Sequence, residues 1–535
     1  MPKPKVIHQP ETQQALRRGI RTLVNAIAPT LGPLPRRSIA QNLDKFELLD
    51  DGGLIARRII ALPEQADDVG AMLLRQVVWK TRQHVGDGAA TTALLYGTIY
   101  TEGLRFIAAG ADPMRLRSRL LALFPALSQR MTADARQLRT EAELQDLAFS
   151  VCYDEEMAAI LGEALHTLGQ YGQVDVRAGH GRGIEHNYVE GSYWKGGAQS
   201  KEMLRGGQRP VAELHEAAVL VTDMEIEEPA ELVPVMQLAL RSGIKQLLLI
   251  VDSISEKGLS VVLDKRLREK IRTVIVKLDE YHPGDLSLAQ EDIALLTGGR
   301  PILQKAGESL ATVKAPDFGW ARWVWADDKN FGFASGKGDP KLIREQVRRL
   351  RRTYAETEDD DSRGRALNRL GALNGGLATV YVGGIAKDEI RQRKELAERA
   401  IRALRAAAAG GVIPGGGVAL LRCRDWLLAE AEVQADLESR AARLILAEAA
   451  EAPIRQLLEN AGYDPSEALA ELGQCADGCG FDVMKGGIVN MAEAGIVDVA
   501  QVQVEALQRA VASAALALTI DVLVLHREPE TMTEP

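Results

Sequence analysis

Cysteine is scarce in this chain. Four residues in 535 cannot build a disulfide framework, and such usage fits a reducing compartment. Cys475 and Cys479, spaced as CADGC, have no second pair elsewhere, so they read as small turn residues rather than a zinc or redox site. An excess of positive charge is also lacking: the net charge of -9 argues against nucleic-acid binding, which needs clustered Lys and Arg to neutralise phosphates. No long apolar run is present either. The longest, AVASAALALTIDVLVL, is broken by Asp521, is shorter than a membrane span and reads as a buried helix. The first residues, MPKPKVIHQPETQQ, have no apolar core and predict no signal peptide. These absences lead to the expectation of a cytoplasmic protein with neither membrane nor nucleic acid as partner.

What is present is ordinary for a globular chain, with 46% hydrophobic and 26% charged residues. The length exceeds what one core sustains and predicts two to four domains. Apolar residues recur at helical spacing from Glu11 to Ala28, ending at TLGPLP, and again from about Asp67 to His84. After GDG the helical pattern resumes in AATTALLYGTIYTEGL. Between His166 and Gly191 the chain turns Gly-rich, with short strand-like pieces such as QVDVRAG.

The middle differs in kind. AAVLVTD, QLLLIVD and TVIVKLD are continuous aliphatic runs that close on an acid and alternate with helical segments. That pattern predicts a parallel sheet buried on both faces. The mixed-charge run REQVRRLRRTYAETEDDDSRGR reads as a solvated helix pair, and FGWARWVWADDKNFGF, with three of the six Trp, as a β-hairpin surface. From about Ala408 the chain is again Ala- and Leu-rich helix, punctuated by IPGGG. An order of helical, mixed, α/β, mixed, helical predicts one domain inserted into another.

HVGDGAATT is the sharpest local signal. Gly86 and Gly88 permit a tight turn and a close backbone approach, and the helix that follows aims free N–H groups at an anion. Asp87 between them is a hard oxygen ligand of the type that suits Mg²⁺ with phosphate. Alone, the motif leaves a plain turn equally open, and it is not a Walker loop because the Lys-Ser/Thr ending is missing. TLGP at Thr30–Pro33, LLDDGG with Asp50 and Asp51, and Gly415–Gly417 in VIPGGGVALL each read singly as caps or loops. Together they suggest a nucleotide pocket assembled from distant pieces.

The ordered set TLGP, LLDDGGLIARRI, GDGAATTALLYG, EGLRFIAAGADPMRL, DIALLTGG, GGLATVYVGG, GVIPGGGVALLR and NMAEAGIVDVAQVQVEALQRAVASAA resembles the group I, GroEL-like chaperonins over nearly the whole chain. The resemblance implies a multidomain α and α/β fold. It gives a mostly helical equatorial ATP domain (1–133 and 409–535), a small mixed intermediate domain (134–190 and 376–408) and an α/β apical substrate domain (191–375). It places nucleotide contacts on Thr30, Leu31, Gly32, Pro33, Asp87, Gly88, Thr91, Gly416 and Asp498, and a Mg²⁺ ligand on Asp87. Asp51 falls where the family positions the attacking water, and the family also brings K⁺. Val233, Met236, Leu259, Val262 and Leu263 would line an apolar groove for unfolded polypeptide and co-chaperonin, although such stripes usually face a core.

The departures are specific. Ala89 and Ala90 replace two hydroxyls, Asp50 a lysine, and Asp482 an asparagine near the base and ribose. The first apical segment, GGAQSKEML, is polar, and the chain ends REPETMTEP instead of in a Gly-Met tail. In ELAERAIRALRAAAAGG the family's general-base aspartate falls on Arg399, with Glu398 about 100° away around the helix. The resemblance therefore implies an ATP-dependent folding subunit of a single or double homo-oligomeric ring, with weakened hydrolysis. The alternatives are a holdase or scaffold ring, one that coassembles with another chaperonin subunit included, and a small-molecule phosphotransferase, for which no acceptor pocket is evident.

Overall fold

The structure, a computed structural model, describes residues 5–34, 36, 38–42, 45–49, 51–179, 181–204, 210–279, 283–357, 359–374, 376–475 and 478–525. Asp50 and the REPETMTEP terminus thus lie outside the described residues. The chain divides into two units, one from Met1–His166 with Arg391–Pro535 and one from Thr167–Ile390. The middle of the sequence is therefore inserted into a unit made from its two outer parts, which is the nested order the sequence predicts.

The outer unit is helical. Glu11–Ile27, Gln65–Val85, Ala89–Ala108, Pro113–Met131, Leu437–Ala461 and Ala500–Ala517 share one core that includes Leu16, Leu74, Tyr96, Leu116, Ile445 and Ala510. Ala-rich faces on Ala89–Ala108 and Ala500–Ala517 favour helix and allow the two to pack closely. The run expected as one buried helix divides. The helix ends at Ala517, and Leu523–Leu525 pairs antiparallel with Lys5–Ile7, Val6 opposite Val524. Gln9 Nε2 donates to the Ile520 carbonyl at 2.9 Å in the connecting turn. Among the described residues no helix is long and apolar enough to cross a membrane.

The inserted unit is built on a six-stranded sheet ordered Arg272–Lys277, Gln246–Val251, Ala212–Val221, Gly319–Ala326, Asn330–Gly336, Ser192–Lys195. The first three strands, which carry the aliphatic runs, are parallel. Leu248 and Ile250 pack into one core and Leu247 and Leu249 into another, so both faces are covered and the hydrophobicity has no reason to alternate. The Trp-rich segment is an antiparallel hairpin whose Phe331 and Phe333 stack on Trp194. The mixed-charge run forms helices Pro340–Glu356 and Asp360–Asn374. Arg369 of the second clamps the buried Asp292 through two bonds of 2.6 and 2.8 Å, so this pair is anchored as well as solvated. A three-stranded sheet sets Gly376–Val382 between Gln173–Ala178 and Ile184–Glu190.

Candidate functional site

Four turns of the outer unit line one cavity of about 740 Å³, within the range of small-molecule sites. Thr30, Leu31, Gly32, Pro33, Asp51, Asp87, Gly88, Thr91, Gly416 and Asp498 all reach it, although they come from opposite ends of the chain.

Local geometry explains each wall. The first helix tightens into a 3₁₀ turn at Ala28–Thr30, and Thr30 Oγ1 donates to the Ile27 carbonyl at 2.7 Å. Gly32 follows at φ 101°, and Asn460 Nδ2 donates to the carbonyls of Ala28 and Leu31, both at 2.9 Å, fixing the loop from 429 residues away. Gly86 and Gly88 stand at φ 81° and 84° on either side of Asp87. Gly88 is the N-cap of Ala89–Ala108, so the unpaired amides of that helix's first turn border the cavity. Gly417, the N-cap of Val418–Glu432, also lines the cavity. Phe481, Met484, Met491, Ile496, Pro453 and Leu457 make an apolar end, with Phe481 edge-on to Tyr463 at 4.8 Å. Beside them Asp482 is buried, its carboxylate accepting from the amide of Met484 at 2.9 Å.

The charges are the distinctive feature. Asp51, only 6% exposed, caps Gly52–Arg58 by accepting from the Leu54 amide at 2.8 Å. The same Oδ1 lies 2.8 Å from Arg82 Nε, and Oδ2 lies 3.1 Å from Arg399 Nη1. Arg399 also donates from Nε to the Gly86 carbonyl at 3.3 Å, and its Nη2 is 3.9 Å from Asp87 Oδ1. One guanidinium therefore bridges both acids of the site. Asp87 itself keeps half of its side-chain surface open, at 51%. Asp498 lines the cavity and is half-buried; desolvation, reinforced by repulsion from Asp87, pushes its carboxyl up to about 7. Arg402, half-buried near Arg82 and Arg399, has its pKa lowered by desolvation.

Two expectations change here. Asp51 was expected to position an attacking water, but both of its oxygens are engaged by an amide and two arginines. Asp87 was expected to hold Mg²⁺. The donor set does not suit a divalent ion, because Arg399 already pairs with both acids and puts a positive charge beside Asp87. Glu398, one residue from Arg399, pairs with Lys394 at 3.8 Å. Arg82 and Asn460 escaped sequence reasoning because neither stands in a motif: each acts through a contact made only in the fold.

In the inserted unit, Pro229–Arg241 and Glu256–Leu263 carry the expected groove residues. Val233 is 40% exposed, and Leu259 and Leu263 are half-buried. Met236 and Val262, at 4% and 2%, point into the core, which corrects their placement as groove surface. Each helix must bury one stripe on the sheet, and those two residues fall on it. Met203, in the polar segment before this region, is buried as well.

Comparison with known proteins agrees with this architecture. Two crystal forms of the chaperonin gp146 from bacteriophage EL 2 (Pseudomonas aeruginosa), both in the presence of ATP-BeFx, are similar in fold at 18% identity. Each comparison covers 98% of this chain and 99% of that one, with TM-scores of 0.72 and 0.62. The model of the TCP-1/cpn60 chaperonin family matches residues 23–528. With nearly its whole length matched, this chain belongs to the TCP-1/cpn60 chaperonin family.

Proposed function

We propose that this chaperonin subunit binds ATP in the 740 Å³ cavity, assembles into a homo-oligomeric ring and handles unfolded polypeptides, with ATP turned over slowly. Residues 1–133 with 409–535 serve as the equatorial part, 134–190 with 376–408 as the intermediate part and 191–375 as the apical part. The glycine turns and the amides opening Ala89–Ala108 suit a polyphosphate, and the apolar end beside Phe481 suits a base. The structurally similar phage chaperonin was crystallised in the presence of ATP-BeFx, which supports the same choice of ligand.

The observation that carries slow turnover is Arg399 between Asp51 and Asp87. A guanidinium accepts no proton, and Asp51 beside it is engaged by an amide and two arginines, so neither residue is placed to serve as the general base. Val233, Leu259 and Leu263 supply the apolar surface for client capture.

The same bridge favours a second reading, a holdase ring that binds ATP without efficient turnover. Steady-state ATP hydrolysis measured beside refolding of an aggregation-prone client separates the two. Refolding that tracks slow turnover supports the first, and capture without ATP-dependent refolding supports the second. Turnover at ordinary chaperonin rates removes both arguments from Arg399.

A further inference from the structure

The bridge has a consequence for the ligand. Phosphate-binding sites offset the charge of a triphosphate with a cation, commonly a metal ion held by carboxylates. Here Asp51 and Asp87 already share a cation, and it is covalently part of the protein. Arg399 is fixed at three points: the Gly86 carbonyl at 3.3 Å, Asp51 at 3.1 Å and Asp87 at 3.9 Å. Its side chain is mostly buried yet lines the cavity. Arg82 holds the far side of Asp51, so Asp51 and Asp87 enter the site paired with guanidinium groups before any ligand arrives. A guanidinium is also a planar fork matched to phosphate oxygens, and it stays charged at every accessible pH.

We propose that the cavity takes the metal-free nucleoside triphosphate, with Arg399 as the built-in cation that a divalent ion would otherwise supply. A Mg²⁺ ion carried in by the nucleotide would meet Arg399 at like charge across Asp87, so Mg²⁺ gains little there. The inference rests on reading the cavity as a nucleotide site, and its test separates the two.

The experiment is calorimetric titration of the full-length protein with ATP, once in excess Mg²⁺ and once in EDTA. The dissociation constant of the parent is expected to differ by less than about threefold between the two conditions, under 1 kcal/mol of coupling to the metal. Arg399→Asp, with the bridge removed and an acid added, is expected to lose metal-free ATP by at least about tenfold and to regain it when Mg²⁺ is present. A parent that weakens by about tenfold or more in EDTA overturns the inference and leaves the nucleotide reading intact. No heat of binding in either condition overturns both. The parent comparison needs no variant, so a misfolded Arg399→Asp protein does not rescue the idea; Arg399→Lys, which keeps the charge without the fork, is expected to fall between the two.

Discussion

At the scale of single residues, Arg399 and Asp498 set the chemistry of the cavity. In the proposed function Arg399 stands where a proton acceptor would act, and an acceptor in its place would restore that role. Arg399→Asp is expected to raise steady-state ATP turnover by about 10²-fold or more, the usual worth of a general base. Phosphate release over time, measured with Mg²⁺ present, checks this, and unchanged turnover would show that the base belongs elsewhere. Asp498 makes stability depend on pH. Below its ordinary value of 3.8 the carboxyl is protonated whether the chain is folded or not. Between that and about 7, the unfolded chain releases the proton while the folded one keeps it. Stability therefore falls as pH rises through this window, by a few kcal/mol at most, and levels off above it. Asp498→Asn, neutral throughout, is expected to flatten the Tm profile over that window in calorimetry. A parallel profile would show that the site carries no such linkage.

Turns and helix faces respond at the scale of elements. Gly86 ends Gln65–Val85 at φ 81°, and a Cβ there would lie 2.8 Å from both the Arg399 carbonyl and Arg402 Cβ. Gly110 has an equally left-handed φ of 106° but open space around it. Gly110→Ala is expected to lose about 1–2 kcal/mol from backbone strain alone, and Gly86→Ala distinctly more because backbone must also shift. Paired denaturant melts measure the difference, and equal losses would mean that the turn yields. On the groove helices, Val233→Ser is expected to weaken capture of an unfolded client while leaving Tm nearly unchanged, and Leu259→Ser to weaken capture with a moderate loss of Tm because Leu259 also packs on the core. Val262→Ser, at a buried position, is expected to lower Tm of the inserted unit instead, since it leaves a cavity and buries a hydroxyl. Aggregation suppression and thermal melts on the same preparations distinguish the roles.

At the scale of the whole molecule, the proposed ring draws attention to two small sheets. Lys5–Ile7 with Leu523–Leu525, and Ser38–Asn42 with Lys45–Leu49, are each only two strands wide. Such pairs are marginal alone, and Val6, Val524 and Ile39 are exposed on them. Assembly into a ring through these segments is expected to give a light-scattering mass several times the 58.1 kDa of one chain at micromolar concentration. Val524→Asp is expected to shift the population toward single chains. A parent that stays at 58.1 kDa would exclude the ring.

Local pattern was enough to expose the helices of the outer segments, the parallel strands buried on both faces, the hairpin and the nested order, because periodicity and turn residues act over a few positions. The glycine turns were legible for the same reason: Gly86, Gly88 and Gly417 adopt backbone angles that few other residues tolerate. Sequence alone also singled out Arg399 as an unexpected residue. What it faces was decided only by tertiary structure, since Asp51 and Asp87 reach it from more than 300 positions away. Burial of Met236 and Val262, rather than their exposure, was likewise settled by which stripe of each helix the sheet covers. A helical pattern fixes which residues share a face, and only packing selects the face that turns inward.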